Sequence, residues 1–174
     1  MKKGLASLVF FILLLVSNIG LACPILIPGK TLDNIELGKN LEQLKAQAHQ
    51  IQKTDQGTII DGKYEIITCQ GKVIAITMLN PLAKPGCIIV NNQKIDLNDS
   101  FSHAQNQLGL KNCQKYPLKT GDNFYYCQQG GLLVGTTVKR IETGFEEVAI
   151  TKIGVIKPGH RINTLHLTCP NRLE

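Results

Sequence analysis

The sequence predicts an α+β fold: a tandem repeat of helix plus β-hairpin, with the helices packed on an antiparallel sheet. An apolar-x-apolar triplet occurs at residues 35–37 and recurs sixty residues later at 95–97. Each triplet is followed by an amphipathic helical pattern, and each helical pattern by a glycine-centred hairpin pattern that carries a cysteine. We therefore expect two repeats, over about 28–80 and 85–156, followed by a C-terminal strand.

The first 22 residues have the order of a secretory signal. Two lysines precede a run over 5–16 that is apolar except for Ser7, and small residues lie at the two positions that a signal peptidase reads. The apolar run is shorter than the roughly 20 residues that a membrane span needs. We predict a signal peptide over 1–22 and a single mature domain over 23–174, with an uncleaved membrane anchor as the alternative.

Apolar residues at helical spacing predict one helix over 39–52 and another over about 100–108. Asp99 or Ser100 is the expected N-cap of the second helix, because its oxygen can accept from a free backbone N–H. Gly109 suits the C-terminal end of that helix. The apolar stripes expected to be buried consist of Leu41, Leu44, Ala48 and Ile51 in the first helix and Phe101, Ala104 and Leu108 in the second.

Runs of apolar and β-branched residues on both sides of a glycine turn predict one hairpin in each unit. Glycine supplies the positive φ that a tight hairpin needs. The predicted strands are 64–69 with 73–79, 124–128 with 132–141, then 145–156 and, at the C-terminus, 164–169.

Pro-Gly pairs mark the expected boundaries of the units. They occur at 28–29, 85–86 and 158–159, and each precedes an apolar-x-apolar triplet, the third at 165–167. Because Pro-Gly is a common turn pair, three unrelated turns are the alternative interpretation.

All six cysteines follow residue 22, and an even number in an exported chain predicts three disulfides. The sequence alone does not choose among the many connectivities that six cysteines allow. One set of pairs is favoured if each unit has its own short-range disulfide and the third disulfide joins the two ends of the mature chain. The expected disulfides are Cys23–Cys169, Cys69–Cys87 and Cys113–Cys127.

Cys23 allows a rival interpretation, in which it is lipidated and the protein is an envelope scaffold lipoprotein. Gly20 and Leu21 match the lipoprotein signal poorly, and lipidation would leave an odd number of cysteines. We therefore expect a periplasmic or secreted protein that meets the membrane only if Cys23 is lipidated.

The net charge and the absence of several known motifs narrow the range of functions that we expect. Of the 19 Lys and Arg, 17 follow residue 22, as do all 13 Asp and Glu, so the expected mature net charge is +4. No block of five like charges occurs, which argues against nucleic-acid binding. No His-x-x-x-His pair, Gly-x-Ser-x-Gly elbow or complete phosphate-binding Gly-x-x-x-x-Gly-Lys-Ser/Thr motif is present; Gly57 to Lys63 fit its first seven positions, but Tyr64 follows. We expect no catalytic residue, metal or cofactor.

One short sequence pattern occurs twice. The first copy is Ile35-x-Leu37-Gly38-x-x-Leu41-Glu42-Gln43-Leu44, and the second is Ile95-x-Leu97-x-Asp99-Ser100-Phe101. With the hairpin that follows it, the pattern resembles the small outer-membrane assembly lipoprotein family, and two such units in tandem are similar to the β-lactamase inhibitor protein architecture. The resemblance covers about 30–156 and implies the tandem fold and a protein-binding role, with no residue roles carried over.

The expected function is that of an exported, disulfide-stabilised, non-enzymatic module that binds or inhibits an extracytoplasmic protein. A small secreted or cell-wall hydrolase is the alternative, and its cysteine version would need a free thiol near a base, such as Cys113 with His103. Exposed tyrosines favour protein interfaces, although sheet packing is an alternative role for them, and the basic side chains would form a surface for an acidic partner. The candidate binding residues are Tyr116, Tyr125, Tyr126, Lys139, Arg140 and Arg161.

Overall fold

The computed structural model describes residues 23–54, 57–79, 86–111, 113–117, 123–141 and 144–160. Over these residues the chain forms thirteen strands and two short helices, arranged in two sheets. In chain order the elements are β1 Ile25–Ile27, β2 Thr31–Leu32, β3 Ile35–Glu36, α1 Leu41–Lys45, β4 Ile51–Lys53, β5 Thr58–Ile60, β6 Tyr64–Cys69, β7 Lys72–Leu79, β8 Cys87–Val90, β9 Gln93–Asp96, α2 Phe101–Gln107, β10 Cys113–Pro117, β11 Asn123–Gln129, β12 Leu132–Ile141 and β13 Gly144–Ile156.

The larger sheet has eight strands in the order β10-β11-β12-β13-β7-β6-β5-β4, and every neighbouring pair is antiparallel. Both predicted hairpins, β6–β7 and β11–β12, are confirmed. Their two-residue turns have positive φ at both positions, Gln70-Gly71 in one and Gly130-Gly131 in the other. Such turns match the twist of the flanking strands, which is why glycine was informative there.

The smaller sheet has five strands in the order β3-β2-β1-β8-β9. It is mixed, because β1 pairs antiparallel with β2 and parallel with β8. The β8–β9 hairpin turns through Asn91 and Asn92, both at positive φ. Asparagine tolerates this conformation better than most residues, so the Asn-Asn pair is a hairpin signal that our prediction left out.

The hydrophobic core lies between the two sheets. Strands β1 and β2 contact β13, and β2 also contacts β7, so the smaller sheet packs on the central strands of the larger one. Burial of each such aliphatic side chain contributes roughly 1.5–3 kcal/mol. The buried residues of this core include Leu26, Leu32, Ile88, Val90 and Ile95 from the smaller sheet and Val73, Ile76, Met78, Ile153 and Val155 from the larger one.

Helix α2 agrees with the sequence. The side chain of Ser100 caps it by accepting from the backbone N–H of His103 at 3.2 Å. At the other end Gly109 has φ +62°, and the N–H of Leu110 donates to the carbonyl of Gln105 at 2.9 Å. This arrangement satisfies carbonyls that the helix end leaves free. The helix buries Phe101 and Ala104 of its predicted apolar stripe, while Leu108, at the C-cap, is only partly buried against the core.

Helix α1 is much shorter than predicted. It has five residues, none of them buried, and Leu44 is only partly buried against the core. The backbone N–H groups of His49 and Gln50 both donate to Oδ1 of Asp61 at 2.9 Å, and Asp61 N–H donates to the Gln50 carbonyl. These bonds hold 49–50 out of a helix and start β4. The apolar residues that recur at helical spacing up to Ile51 therefore do not all lie in one helix.

The predicted α+β fold, with helices packed on an antiparallel sheet, is wrong. Most of the described chain is strand, and the smaller sheet takes the place that we expected the helices to occupy on the larger one. Six short strands and the β4–β5 hairpin escaped prediction, and the two- and three-residue strands among them are too short to show periodicity. The predicted signal peptide over 1–22 and strand over 164–169 lie outside the described residues.

Candidate functional site

The outer face of the smaller sheet carries an exposed apolar patch. Side chains alternate along β1, so Leu26 points into the core while Ile25 and Ile27 point outward. Ile25 is 55% exposed and Ile27 is 46% exposed. Ile89 is the cross-strand partner of Ile25 and lies on the same face. We call Ile25, Ile27 and Ile89 the isoleucine face, of which Ile25 and Ile27 are exposed and Ile89 is half-buried.

Charged side chains border the isoleucine face. Cross-strand partners share a face, so Lys94, the partner of Ile89, and Glu36, the partner of Thr31, point the same way. Glu36 is also paired with Lys39, with 3.2 Å between the charged atoms. An apolar centre with a polar rim of both signs is the usual anatomy of a protein interface.

A disulfide fixes the strand that carries the exposed isoleucines. Cys23 is bonded to Cys87, the first residue of β8, with 5.1 Å between their Cα atoms. One residue further on, the carbonyl of Pro24 accepts from the backbone N–H of Ile89 at 2.9 Å. Ile25 follows directly, so the isoleucine face is held by a covalent bond and a sheet ladder. A surface fixed in this way loses little conformational entropy on binding.

The disulfide pattern corrects two of the three predicted pairs. Cys113 and Cys127 are bonded across β10 and β11, as predicted. Because Cys87 is bonded to Cys23, the predicted pairs Cys23–Cys169 and Cys69–Cys87 are both wrong. The cause is the parallel pairing of β1 with β8, which brings together residues 64 positions apart. Cys69 is also disulfide-bonded, and Cys169 lies outside the described residues.

The chain matches no protein-family model, no curated protein and no solved structure. The disulfides stabilise the fold and indicate an oxidising, extracytoplasmic location. Neither helix in the described part of the chain has the length and apolarity that a membrane crossing requires.

The structure describes the side chains of two of the six predicted binding residues, Tyr125 and Tyr126. Tyr126 is 3% exposed and its hydroxyl is 3.0 Å from Oε1 of Gln114, so burial removes it from the candidate interface. Tyr125 is partly buried against the core, with Nζ of Lys115 5.7 Å from its ring centroid. Of the remaining four, Arg161 and the side chains of Tyr116, Lys139 and Arg140 lie outside the described part of the chain.

A buried ion pair lies in the larger sheet, and no sequence pattern had indicated it. Oε2 of Glu65 is 2.6 Å from Nζ of Lys152 and accepts from the hydroxyl of Thr77 at 3.2 Å. The Glu65 side chain is 6% exposed. The three residues come from neighbouring strands β6, β7 and β13, so only the pairing of β7 with β13 assembles them. Because the two charges neutralise each other, the Glu65–Lys152 ion pair fits a structural role better than a role in acid–base chemistry.

Neither a metal centre nor a thiol nucleophile is found in the described part of the chain. No three His, Cys, Asp or Glu side chains there lie together in a way that could hold a metal ion. Cys113 is disulfide-bonded, so it has no thiolate for His103 to activate. His103 is exposed and lies 3.7 Å from a carboxylate oxygen of Asp99. The cysteine version of the hydrolase interpretation therefore loses its proposed nucleophile.

Proposed function

We propose that this protein is an exported, disulfide-stabilised module whose isoleucine face docks on another extracytoplasmic protein. The observation that carries the proposal is the exposure of Ile25 and Ile27, 55% and 46%, on one face of a disulfide-tied strand. Removing such apolar surface from water favours association by roughly 25 cal/mol per Å². Inhibition of the partner would follow if the docked surface is one that the partner uses.

The partner's chemistry follows from the face. An apolar patch on the partner would cover the three isoleucines, and its charged groups would meet Glu36 and Lys94 at opposite edges of the sheet. Such charges act mainly on orientation and association rate, while the apolar centre supplies the affinity.

The lipoprotein alternative is less well supported. Lipidation would need the sulfur of Cys23, and that sulfur is bonded to Cys87. A freely diffusing binding module agrees better with this bond than an anchored scaffold does.

The test uses the mature protein as bait in quantitative pull-downs, followed by affinity measurement with the recovered partner. Ile25→Lys and Ile27→Lys each place a charge at the centre of the face, and each should weaken binding at least about tenfold. Gln47→Lys introduces the same side chain at an exposed position after α1 and should leave the affinity unchanged. Equal binding by all three variants would contradict the proposal. Circular dichroism checks that each variant is folded.

A further inference from the structure

Strand β4 is the last strand of the larger sheet. It pairs with β5 on one side and has no strand on the other among the described residues. All three of its side chains are exposed, and Ile51, at 45%, is one of three large apolar side chains that are exposed in the described part of the chain. An open strand edge offers unpaired N–H and C=O groups to an incoming chain.

The hydrogen-bond register shows which backbone groups are open. Thr54 N–H donates to the Gly57 carbonyl, and Asp61 N–H donates to the Gln50 carbonyl, both at 2.9 Å. In an antiparallel pair only alternate residues bond with the neighbouring strand. Residues 50, 52 and 54 therefore point their backbone groups toward β5. The N–H and C=O groups of Ile51 and Lys53 point away from it, and no residue of the described ranges bonds to them.

The side chains near this edge also suit an added strand. A cavity of about 400 Å³ adjoins β4 and is lined by Gln50, Ile51, Gln52, Ile59 and Gly62. It leaves space for side chains of an incoming peptide. Ile51 and Lys53 alternate with Gln52 and so share one face of the strand. A peptide residue beside Ile51 would meet an apolar surface, and one beside Lys53 would meet a positive charge.

We propose that β4 binds an extended peptide segment of a partner protein as a ninth strand of the larger sheet. The backbone groups of Ile51 and Lys53 would form its hydrogen bonds. Its side chains would alternate, with an apolar residue beside Ile51 and, two positions away, an acidic residue beside Lys53. The exposed Lys53 disfavours pairing of β4 with a second copy of itself, because the two edges would bring like charges close together.

This site goes beyond the docking function proposed for the isoleucine face. The two surfaces lie on different sheets, so each can fail without the other. Ile27→Lys tests the isoleucine face and should leave peptide binding at β4 unchanged. A change at Lys53 should affect the peptide and leave the face intact.

The experiment is a backbone-amide NMR titration of the mature protein with a synthetic nine-residue peptide of alternating valine and threonine that carries one glutamate. We expect saturable shifts of the Ile51 and Lys53 amides and slower hydrogen exchange at both. The same peptide with every second backbone nitrogen methylated should cause neither effect. Shifts centred on the smaller sheet, or no saturable shift, would overturn the proposal, as would self-association of the protein through β4 without peptide.

Two variants sharpen the test. Lys53→Pro removes an outward N–H and no bond to β5, so it should weaken peptide binding at least about tenfold. Lys53→Glu keeps the backbone and reverses the charge, so it should prefer a peptide with lysine in place of glutamate. Unchanged peptide preference in Lys53→Glu would show that the acidic residue is not recognised at this edge.

Discussion

The backbone N–H of Gly29 donates to the carbonyl oxygen of Gly131 at 3.0 Å. The same oxygen accepts from the N–H of Ile156 at 2.9 Å, so one carbonyl joins the β1–β2 turn to the β11–β12 turn and to the end of β13. This carbonyl thus links the smaller sheet to the larger one at a point where the backbones of Gly29 and Gly131 are in close contact. A Cβ atom at Gly131 would lie 2.5 Å from both N and Cα of Gly29.

Gly131→Ala should therefore destabilise the fold strongly. Gly71 is the control, because it has φ +74° in the equivalent turn of the other hairpin, and a Cβ added there would meet no atom within 4 Å. Gly71→Ala should lower the free energy of unfolding by only about 1–2 kcal/mol, because alanine adopts a positive φ less readily than glycine does. Gly131→Ala, at φ +83°, adds a backbone clash and should cost at least about 1 kcal/mol more. Urea unfolding measures both, and equal losses would mean that the contact with Gly29 is not tight.

Tyr64 should make stability depend on alkaline pH. Its hydroxyl donates to Oδ2 of Asp33 at 2.7 Å, and burial, then this bond and the negative charge of Asp33, raise the pKa of Tyr64 well above its usual value. A raised pKa stabilises the fold below the unfolded pKa of about 10, and that contribution is lost as pH rises through the folded pKa. Tyr64→Phe should cost about 1 kcal/mol at pH 7.

Above about pH 10 the Tyr64→Phe variant should lose stability less steeply than the parent protein, because it lacks the group that must ionise. Urea unfolding between neutral and strongly alkaline pH measures the difference. Lysine titration affects both proteins alike, so parallel curves would show that Tyr64 does not contribute.

The Glu65–Lys152 ion pair should show strong coupling. Lys152→Met leaves the buried carboxylate of Glu65 without its cation and should cost about 3–5 kcal/mol. The double variant Glu65→Met with Lys152→Met removes both charges and should be closer to the parent protein than Lys152→Met is. A double-mutant cycle by chemical denaturation measures the coupling. Additive losses would mean that the pair is screened by water.

Leu44 and Leu97 should differ in their contribution to stability. Leu97 is 5% exposed in the core, so Leu97→Ala should cost about 2–5 kcal/mol. Leu44 is only partly buried on a helix that has no buried residue, so Leu44→Ala should cost about 1 kcal/mol. Thermal and urea unfolding compare the two. A larger loss at Leu44 would indicate that α1 is packed more tightly than its exposure shows.

Peptide mapping of the unreduced protein should recover a third disulfide. Cys23 with Cys87 and Cys113 with Cys127 use four of the six cysteines, and Cys69 is also bonded. Cys169 is then the cysteine left for Cys69, so we expect one peptide pair that joins them. The two other pairs serve as internal controls. Recovery of a Cys23–Cys169 peptide would contradict the observed pairing of β1 with β8.

Sequence patterns predicted turns and helix ends correctly, because the conformation of a few neighbouring residues decides these features. The turns at Gly71 and Gly130 need positive φ, and both hairpins occur where glycine indicated them. Helix α2 begins at a serine cap and ends at a glycine, both legible in sequence. The burial of Tyr126 was not predictable in this way, because it depends on the strands that surround this residue.

The sequence by itself determined the two central hairpins, α2 and the strand that the structure places at Gly144–Ile156, because each depends on residues near one another in the chain. The Cys113–Cys127 bond matches the short-range pairing that we favoured, although the sequence allowed other connectivities. Only the tertiary structure decided that Cys23 meets Cys87, through parallel pairing of β1 with β8, and that β13 meets β7. It also decided that 51–53 form a strand, because hydrogen bonds to Asp61 and β5 outweigh a helical spacing that buries little. The exposed faces of Ile25, Ile27 and Ile51 follow from those distant pairings, since exposure depends on which strands become neighbours.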